Sequence, residues 1–75
     1  MNKARRKEIA KAIDLMDRAR EILEAVRDEE QEAFDNLPEA LQSSEQGELM
    51  EEYIDTLEDC IDDLDTANLQ SIVDS

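Results

Sequence analysis

Apolar residues recur every seven positions along two long stretches of the chain. In the first, residues 3–34, two rows lie three residues apart and have these members: Ile9, Met16 and Leu23; Ala12, Ala19, Val26 and Ala33. In the second, residues 46–73, the corresponding rows are Met50, Leu57 and Leu64, and Tyr53, Cys60 and Ala67. This spacing places apolar side chains along one face of an α-helix. The pattern therefore predicts two long amphipathic helices.

The segment between the two stretches predicts a break. The only proline of the chain is Pro38, and the only glycine, Gly47, follows shortly after it. Proline cannot continue a helix without losing a hydrogen bond and clashing with the preceding turn. Ser43 and Gln46 have the spacing of a capping box, which indicates the start of the next helix. We expect one helical domain over 1–75, with a helix at 3–34, a linker at 35–45 and a helix at 46–73.

The predicted fold is all-α, an antiparallel two-helix hairpin. A chain of 75 residues buries only a modest core and usually needs a further source of stability. Both apolar faces are broader than two helices can cover, so we expect a homodimer in the form of a four-helix bundle. The residues predicted to form the core and the dimer seam are Ile9, Met16, Leu23, Val26, Met50, Tyr53, Leu57, Ile61 and Leu64.

Charge is distributed very unevenly along the chain. The formal net charge is −14, all eight cations lie within residues 1–27, and residues 28–75 contain seventeen acids and no cation. In an antiparallel hairpin the basic segment Lys3–Lys7 and Lys11 would lie beside the acidic end of the second helix. The sequence therefore predicts ion pairs across the hairpin, which disfavour direct binding of nucleic acid by the basic segment.

The acids of the second helix predict a binding surface for a basic partner. They avoid the apolar positions and comprise Glu48, Glu51, Glu52, Asp55, Glu58, Asp59, Asp62, Asp63 and Asp65. Between residues 51 and 65 their density is about one per 2.8 Å of helix, against about one phosphate per 1.7 Å of duplex DNA. This density favours a surface that imitates nucleic acid, and the alternative is a face that only keeps the protein in solution.

Several classes of function lack their chemical parts in this sequence. There is no histidine, Cys60 is the only cysteine, and no Gly-rich phosphate loop is present. These absences argue against a zinc site, an enzyme and a bound cofactor. The acids also lack the spacing of a calcium-binding loop. A polar, basic amino terminus without an apolar segment predicts no signal peptide and no membrane span, and hence a cytoplasmic protein.

One stretch of the chain resembles a group of short acidic proteins from bacteriophages and prophages. The resemblance covers "EEQEAFDNLPEALQSSEQGELMEEYIDTLEDCIDDL", residues 29–64, after an "ARRKEI" start, and includes a linker of the form "DNLPE-LQ-SE-GE". It implies a phage protein acting in the cytoplasm of a bacterial host. Small acidic helical phage proteins include anti-CRISPR proteins that look like DNA mimics, so the resemblance favours an inhibitor of host defence.

Two functions follow from these observations. The first is an inhibitor whose acidic face occupies the basic groove of a nucleic-acid-binding host complex, such as a CRISPR effector or another defence protein. The second is an oligomeric binding or structural module, such as a sponge for small signalling nucleotides. The sponge would bind through the cations Lys11, Arg18, Arg20 and Arg27.

Overall fold

The structure, a computed structural model, describes all 75 residues and consists of four helices joined by short turns. The helices are α1 (Lys3–Asp35), α2 (Glu39–Gln42), α3 (Glu45–Asp63) and α4 (Ala67–Asp74). Helix accounts for 85% of the chain and there is no strand. The predicted all-helical class is therefore confirmed. None of the helices combines the length and the apolar character needed to cross a membrane.

Helix α1 begins at a side-chain cap. The Asn2 backbone is extended, and its Oδ1 accepts a hydrogen bond from the backbone N–H of Arg5 at 2.8 Å. Asparagine is among the strongest N-caps because its short side chain reaches an amide that the helix leaves unpaired. The helix ends at Asp35, and Asn36 is its C-cap, two residues before Pro38.

The predicted linker contains one further turn of helix. Helix α2 follows Pro38, whose carbonyl accepts hydrogen bonds from the amides of Leu41 and Gln42. The Gln42 side chain then ties this turn to α1, because its Nε2 donates to the carbonyl oxygens of Phe34 at 3.2 Å and Leu37 at 3.3 Å. The linker is therefore a hydrogen-bonded corner that fixes where α3 begins.

The start of α3 lies one residue away from the predicted capping box. Ser43 closes α2, and Ser44 has the extended backbone of an N-cap and accepts a hydrogen bond from the amide of Gly47 at 3.3 Å. Gln46 therefore does not pair with Ser43 as the sequence spacing predicted. The cap shifts because Ser43 still belongs to the preceding turn of helix.

The predicted helix over 46–73 is interrupted between Leu64 and Thr66. The chain leaves the helical hydrogen-bond pattern there because Asp65 supplies a competing acceptor, and its Oδ1 binds the amide of Ala67 at 3.0 Å. Aspartate often forms this local bond, which favours a turn over a continuing helix. The Thr66 hydroxyl also donates to Asp17 of α1 at 3.4 Å.

The molecule is elongated, with principal extents of 58, 14 and 13 Å. It bends once, at the corner formed by residues 36–44. Helix α1 contacts both α3 and α4.

The interior is a narrow seam between α1 and the later helices. Only Ile13, Ile54 and Ile61 among the apolar residues are buried, with 7%, 5% and 3% of their surface exposed. The predicted seam residues that lie half-buried beside them are Ile9, Met16, Leu23, Met50, Leu57 and Leu64. Gly47 is also buried, where α3 passes α2.

Val26 and Tyr53 differ from the prediction, because 43% and 53% of their surface is exposed. In each long helix, one of the two apolar rows has two possible positions along the sequence. The intramolecular seam uses the row of Ile13 in α1 and the row of Ile54 and Ile61 in α3. A branched side chain such as that of Ile13 buries more apolar area than Ala12, Ala19 or Ala33 of the alternative row in α1. The chosen row of α1 also carries Arg6, Arg20 and Arg27, which are half-buried and cover the seam with the aliphatic parts of their side chains.

Candidate functional site

The acids of α3 divide into two groups according to their position relative to the seam. A cleft of about 240 Å³ is lined by Gln31 and Phe34 of α1 and by Glu51, Ile54 and Asp55 of α3. Glu48 and Glu51 line a second cleft together with Phe34. Residues seven apart share a helix face, so Glu58 and Asp62 continue this row. These α3 acids therefore lie on the side that adjoins α1.

Helix α1 carries a second row of acids beside the seam, which the sequence-based prediction did not include. Gln31 lines the cleft beside Glu51, and Asp17 receives the hydrogen bond from Thr66. Asp17 and Gln31 belong to one row of polar residues on α1, whose members are spaced three or four residues apart. We define the acidic face as both rows together: Asp14, Asp17, Glu21, Glu24, Asp28 and Asp35 of α1, and Glu48, Glu51, Asp55, Glu58 and Asp62 of α3.

The acids of both rows occupy the same position relative to the buried seam residues of their own helix. In both helices each acid of the face follows a seam position by one residue, as Asp14 follows Ile13 and Asp55 follows Ile54. One residue corresponds to a rotation of about 100° around a helix. When two helices run in opposite directions, the same rotation carries both rows to the same side of the pair. The sequence already indicated the row on α1, because the acids of that helix recur at spacings of three and four residues.

Four of the predicted acids do not belong to this face. Glu52, Asp59 and Asp63 lie on the outer edge of α3, on the side away from α1. Asp65 lies in the turn after α3, where its carboxylate caps the amide of Ala67. A partner bound to the acidic face would therefore contact Glu52, Asp59 and Asp63 least.

All ion pairs of the structure lie within α1. They join Lys11 to Glu8 at 3.0 Å, Arg18 to Asp14 at 3.3 Å, Arg20 to Glu24 at 3.3 Å, and Arg27 to Asp28 at 3.1 Å. No acid of α3 forms an ion pair, so the charges of that row are screened only by solvent. The predicted ion pairs between the basic start of α1 and the end of the second helix are absent.

This arrangement separates the cations into two sets. Lys11, Arg18, Arg20 and Arg27, the candidates for binding a signalling nucleotide, are those that form the intrahelical ion pairs. The remaining cations, Lys3, Arg5, Arg6 and Lys7, form none. The Nε atoms of Arg6 and Arg20 are shielded from solvent and lack a hydrogen-bond acceptor, although Arg20 approaches Glu24 as an ion pair.

No family model, curated protein or solved structure matches the chain. The function must therefore be inferred from the geometry and charge of its surface. No group of acids or cysteine converges closely enough to hold a metal ion. Cys60 is exposed on α3.

Proposed function

We propose that the protein inhibits a nucleic-acid-binding complex of bacterial defence by presenting its acidic face to the groove that normally holds DNA or RNA. The observation that carries this proposal is a row of α3 acids without a single ion pair, beside a second acidic row on α1. The uncompensated charges of the α3 row attract basic surfaces and accelerate their association. A phage origin, an anti-CRISPR-like role and action in the bacterial cytoplasm belong to the same proposal.

The dimensions of the acidic face support this proposal. From residue 14 to residue 35 the face is about 32 Å long, close to the length of one turn of duplex DNA, about 34 Å. The two rows follow helices whose axes pack about 8–10 Å apart. An acid recurs about every 6 Å along the α1 row and about every 5 Å along the α3 row, compared with one phosphate about every 3.4 Å of a DNA strand.

The proposal includes the antiparallel hairpin, because only that direction brings both acidic rows to one side. Two contacts support it. The Gln42 side chain binds the Phe34 carbonyl near the end of α1, whereas Thr66, beyond the end of α3, binds Asp17 near the middle of α1. Residues later in α3 thus lie beside residues earlier in α1. Association of two such hairpins into a four-helix bundle completes the proposed architecture.

Two matched triple variants test the nucleic-acid mimicry. Glu51→Gln, Asp55→Asn and Glu58→Gln neutralise the acidic face, whereas Glu52→Gln, Asp59→Asn and Asp63→Asn remove the same charge away from it. The assay measures displacement of a labelled DNA duplex from purified CRISPR effector complexes and restriction enzymes. We expect the first triple to raise the half-inhibitory concentration about tenfold or more, and the second to change it by less than about threefold, because contact charges dominate long-range ones.

Salt provides an independent measurement in the same assay. Inhibition should weaken steeply between about 50 and 200 mM NaCl, because the contacts are screened and counterions are exchanged. Equal inhibition by the two triples, or inhibition insensitive to salt, would contradict the proposal. Circular dichroism of both triples verifies that they remain helical.

The second function, a sponge for small signalling nucleotides, predicts a different sensitivity. It needs Arg18, Arg20 and Arg27, and each of these already forms an ion pair with an acid of its own helix. A nucleotide phosphate would have to displace those carboxylates. The contacts of α1 therefore favour the acidic face as the binding surface.

A further inference from the structure

An apolar stripe on α1 faces solvent and has no partner within the chain. Leu15, Ile22 and Val26 are 65%, 64% and 43% exposed. The alanines Ala12 and Ala19 complete the stripe and are also exposed. Each of these residues precedes a seam position by one residue, as Ala12 precedes Ile13, whereas the acidic face follows the seam. The apolar stripe therefore lies on the side of the hairpin opposite the acidic face.

The accessible surface of the chain is larger than that of a typical folded monomer of the same mass. The accessible surface is 5702 Å², whereas a folded monomer of 8.6 kDa exposes about 4,700 Å². The excess, about 1,000 Å², is close to the roughly 800 Å² that each partner buries in a stable protein–protein interface. A second layer of helices on the apolar stripe would remove an excess of this size.

The charges of α1 indicate that this layer is a second copy of the same helix in the opposite direction. Residues 3–18 contain six cations and three acids, whereas residues 19–35 contain two cations and seven acids. A helix with one basic half and one acidic half complements itself when two copies run antiparallel. Arg5, which forms no ion pair and lies on the same stripe seven residues before Ala12, is then beside the acidic end of the other copy.

We infer that the protein forms a homodimer in which the apolar stripes of two α1 helices pack antiparallel about a two-fold axis near residue 20. Leu15 then lies opposite Val26 of the second copy, and Ala19 lies opposite Ile22, so each large side chain has a smaller or branched neighbour. Lys11 lies near Glu29. An isologous contact of this kind closes at two copies.

This inference rests on the proposed association of two hairpins and adds the surface and direction of the contact. It does not depend on the acidic face, which stays exposed on the two outer sides of the dimer. The dimer would therefore present two binding surfaces that point in opposite directions.

Sedimentation equilibrium of the full chain tests the surface. At about 50 μM the original protein should sediment with twice the mass of 8.6 kDa. Ile22→Glu should raise the dimer dissociation constant at least about tenfold, because it buries a charge in the stripe. Leu41→Glu, at a position 48% exposed on α2, is the matched control and should leave the dimer intact. A monomeric original protein, or an Ile22→Glu variant that dimerises normally, would overturn the inference.

A charge swap tests the direction. Lys11→Glu alone and Glu29→Lys alone should each weaken the dimer, and the double variant should recover most of the loss, because the two residues meet only between antiparallel copies. Ala19→Cys in a Cys60→Ser background should form a disulfide-linked dimer in air, whereas Ala33→Cys in that background should not. A dimer without recovery in the double variant and without the Ala19→Cys link would refute the antiparallel contact and leave the DNA-displacement assay unaffected.

Discussion

At the scale of single residues, Gly47 is the position where the fold depends most on the absence of a side chain. It lies in the first turn of α3 and is buried against the end of α2. A Cβ atom built at this position would approach the carbonyl oxygen of Leu41 to 2.6 Å and would also collide with the carbonyl of Gln42. These are backbone atoms of a hydrogen-bonded turn, so the overlap cannot be relieved by a side-chain rotation. Gly47 therefore sets how closely the corner packs on α3.

We expect Gly47→Ala to destabilise the protein. Alanine favours a helix over glycine by about 1 kcal/mol, but overpacking against backbone costs typically 1–3 kcal/mol, so the net effect should be a lower melting temperature. Thermal unfolding followed by circular dichroism measures it. Thr56→Ala, at an exposed position in the same helix, is the control and should not lower the melting temperature. An increase with Gly47→Ala would show that the corner relaxes easily.

At the scale of elements, α1 carries its charges against the direction of its own dipole. Its first turn contains no acid, and its last turn contains no cation. Acids stabilise the start of a helix and cations its end, typically by 0.3–1 kcal/mol each. The helix forms nevertheless because it is long, is capped by Asn2 and packs against α3 and α4.

Two substitutions of Asn2 should therefore act in opposite directions. Asn2→Ala removes the acceptor for the Arg5 amide and should cost about 1 kcal/mol. Asn2→Asp keeps the acceptor, adds a negative charge at the start of the helix and should stabilise by a few tenths of a kcal/mol or more. Melting temperatures at one fixed protein concentration give both values. Equal melting temperatures for the two variants would indicate that the first turn contributes nothing to stability.

At the scale of the whole molecule, electrostatic repulsion limits stability. The net charge is −14 on 75 residues, and all four ion pairs lie within one helix. The acids of α3, none of which forms an ion pair, thus repel one another. Charge of one sign destabilises a compact state, and this repulsion is screened over about 10 Å at 0.1 M salt.

We expect the melting temperature to rise when NaCl is increased from about 10 mM to 500 mM at neutral pH, because screening relieves the repulsion more than it weakens the exposed ion pairs of α1. Choline chloride at the same ionic strength should have a similar effect. A melting temperature that falls with salt would mean that attractive ion pairs dominate. The same salt should weaken partner binding, so the two measurements are expected to move in opposite directions.

The sequence by itself determined the helical class and the break around Pro38. These features depend on local chemistry, namely the seven-residue apolar period and a missing proline N–H. It also determined that residues 28–75 carry seventeen acids and no cation.

Only the tertiary structure decided which second apolar row turns inward, since two rows of similar spacing compete in each long helix. The rows with Ile13 and Ile54 win because they bury more apolar area, and that choice leaves Val26 and Tyr53 exposed. The same rotation places the acids of both helices one residue after the seam positions, an arrangement that no local pattern specifies. The interruption at Leu64–Thr66 likewise appeared only in the structure, where Asp65 binds the amide of Ala67 and Thr66 reaches Asp17.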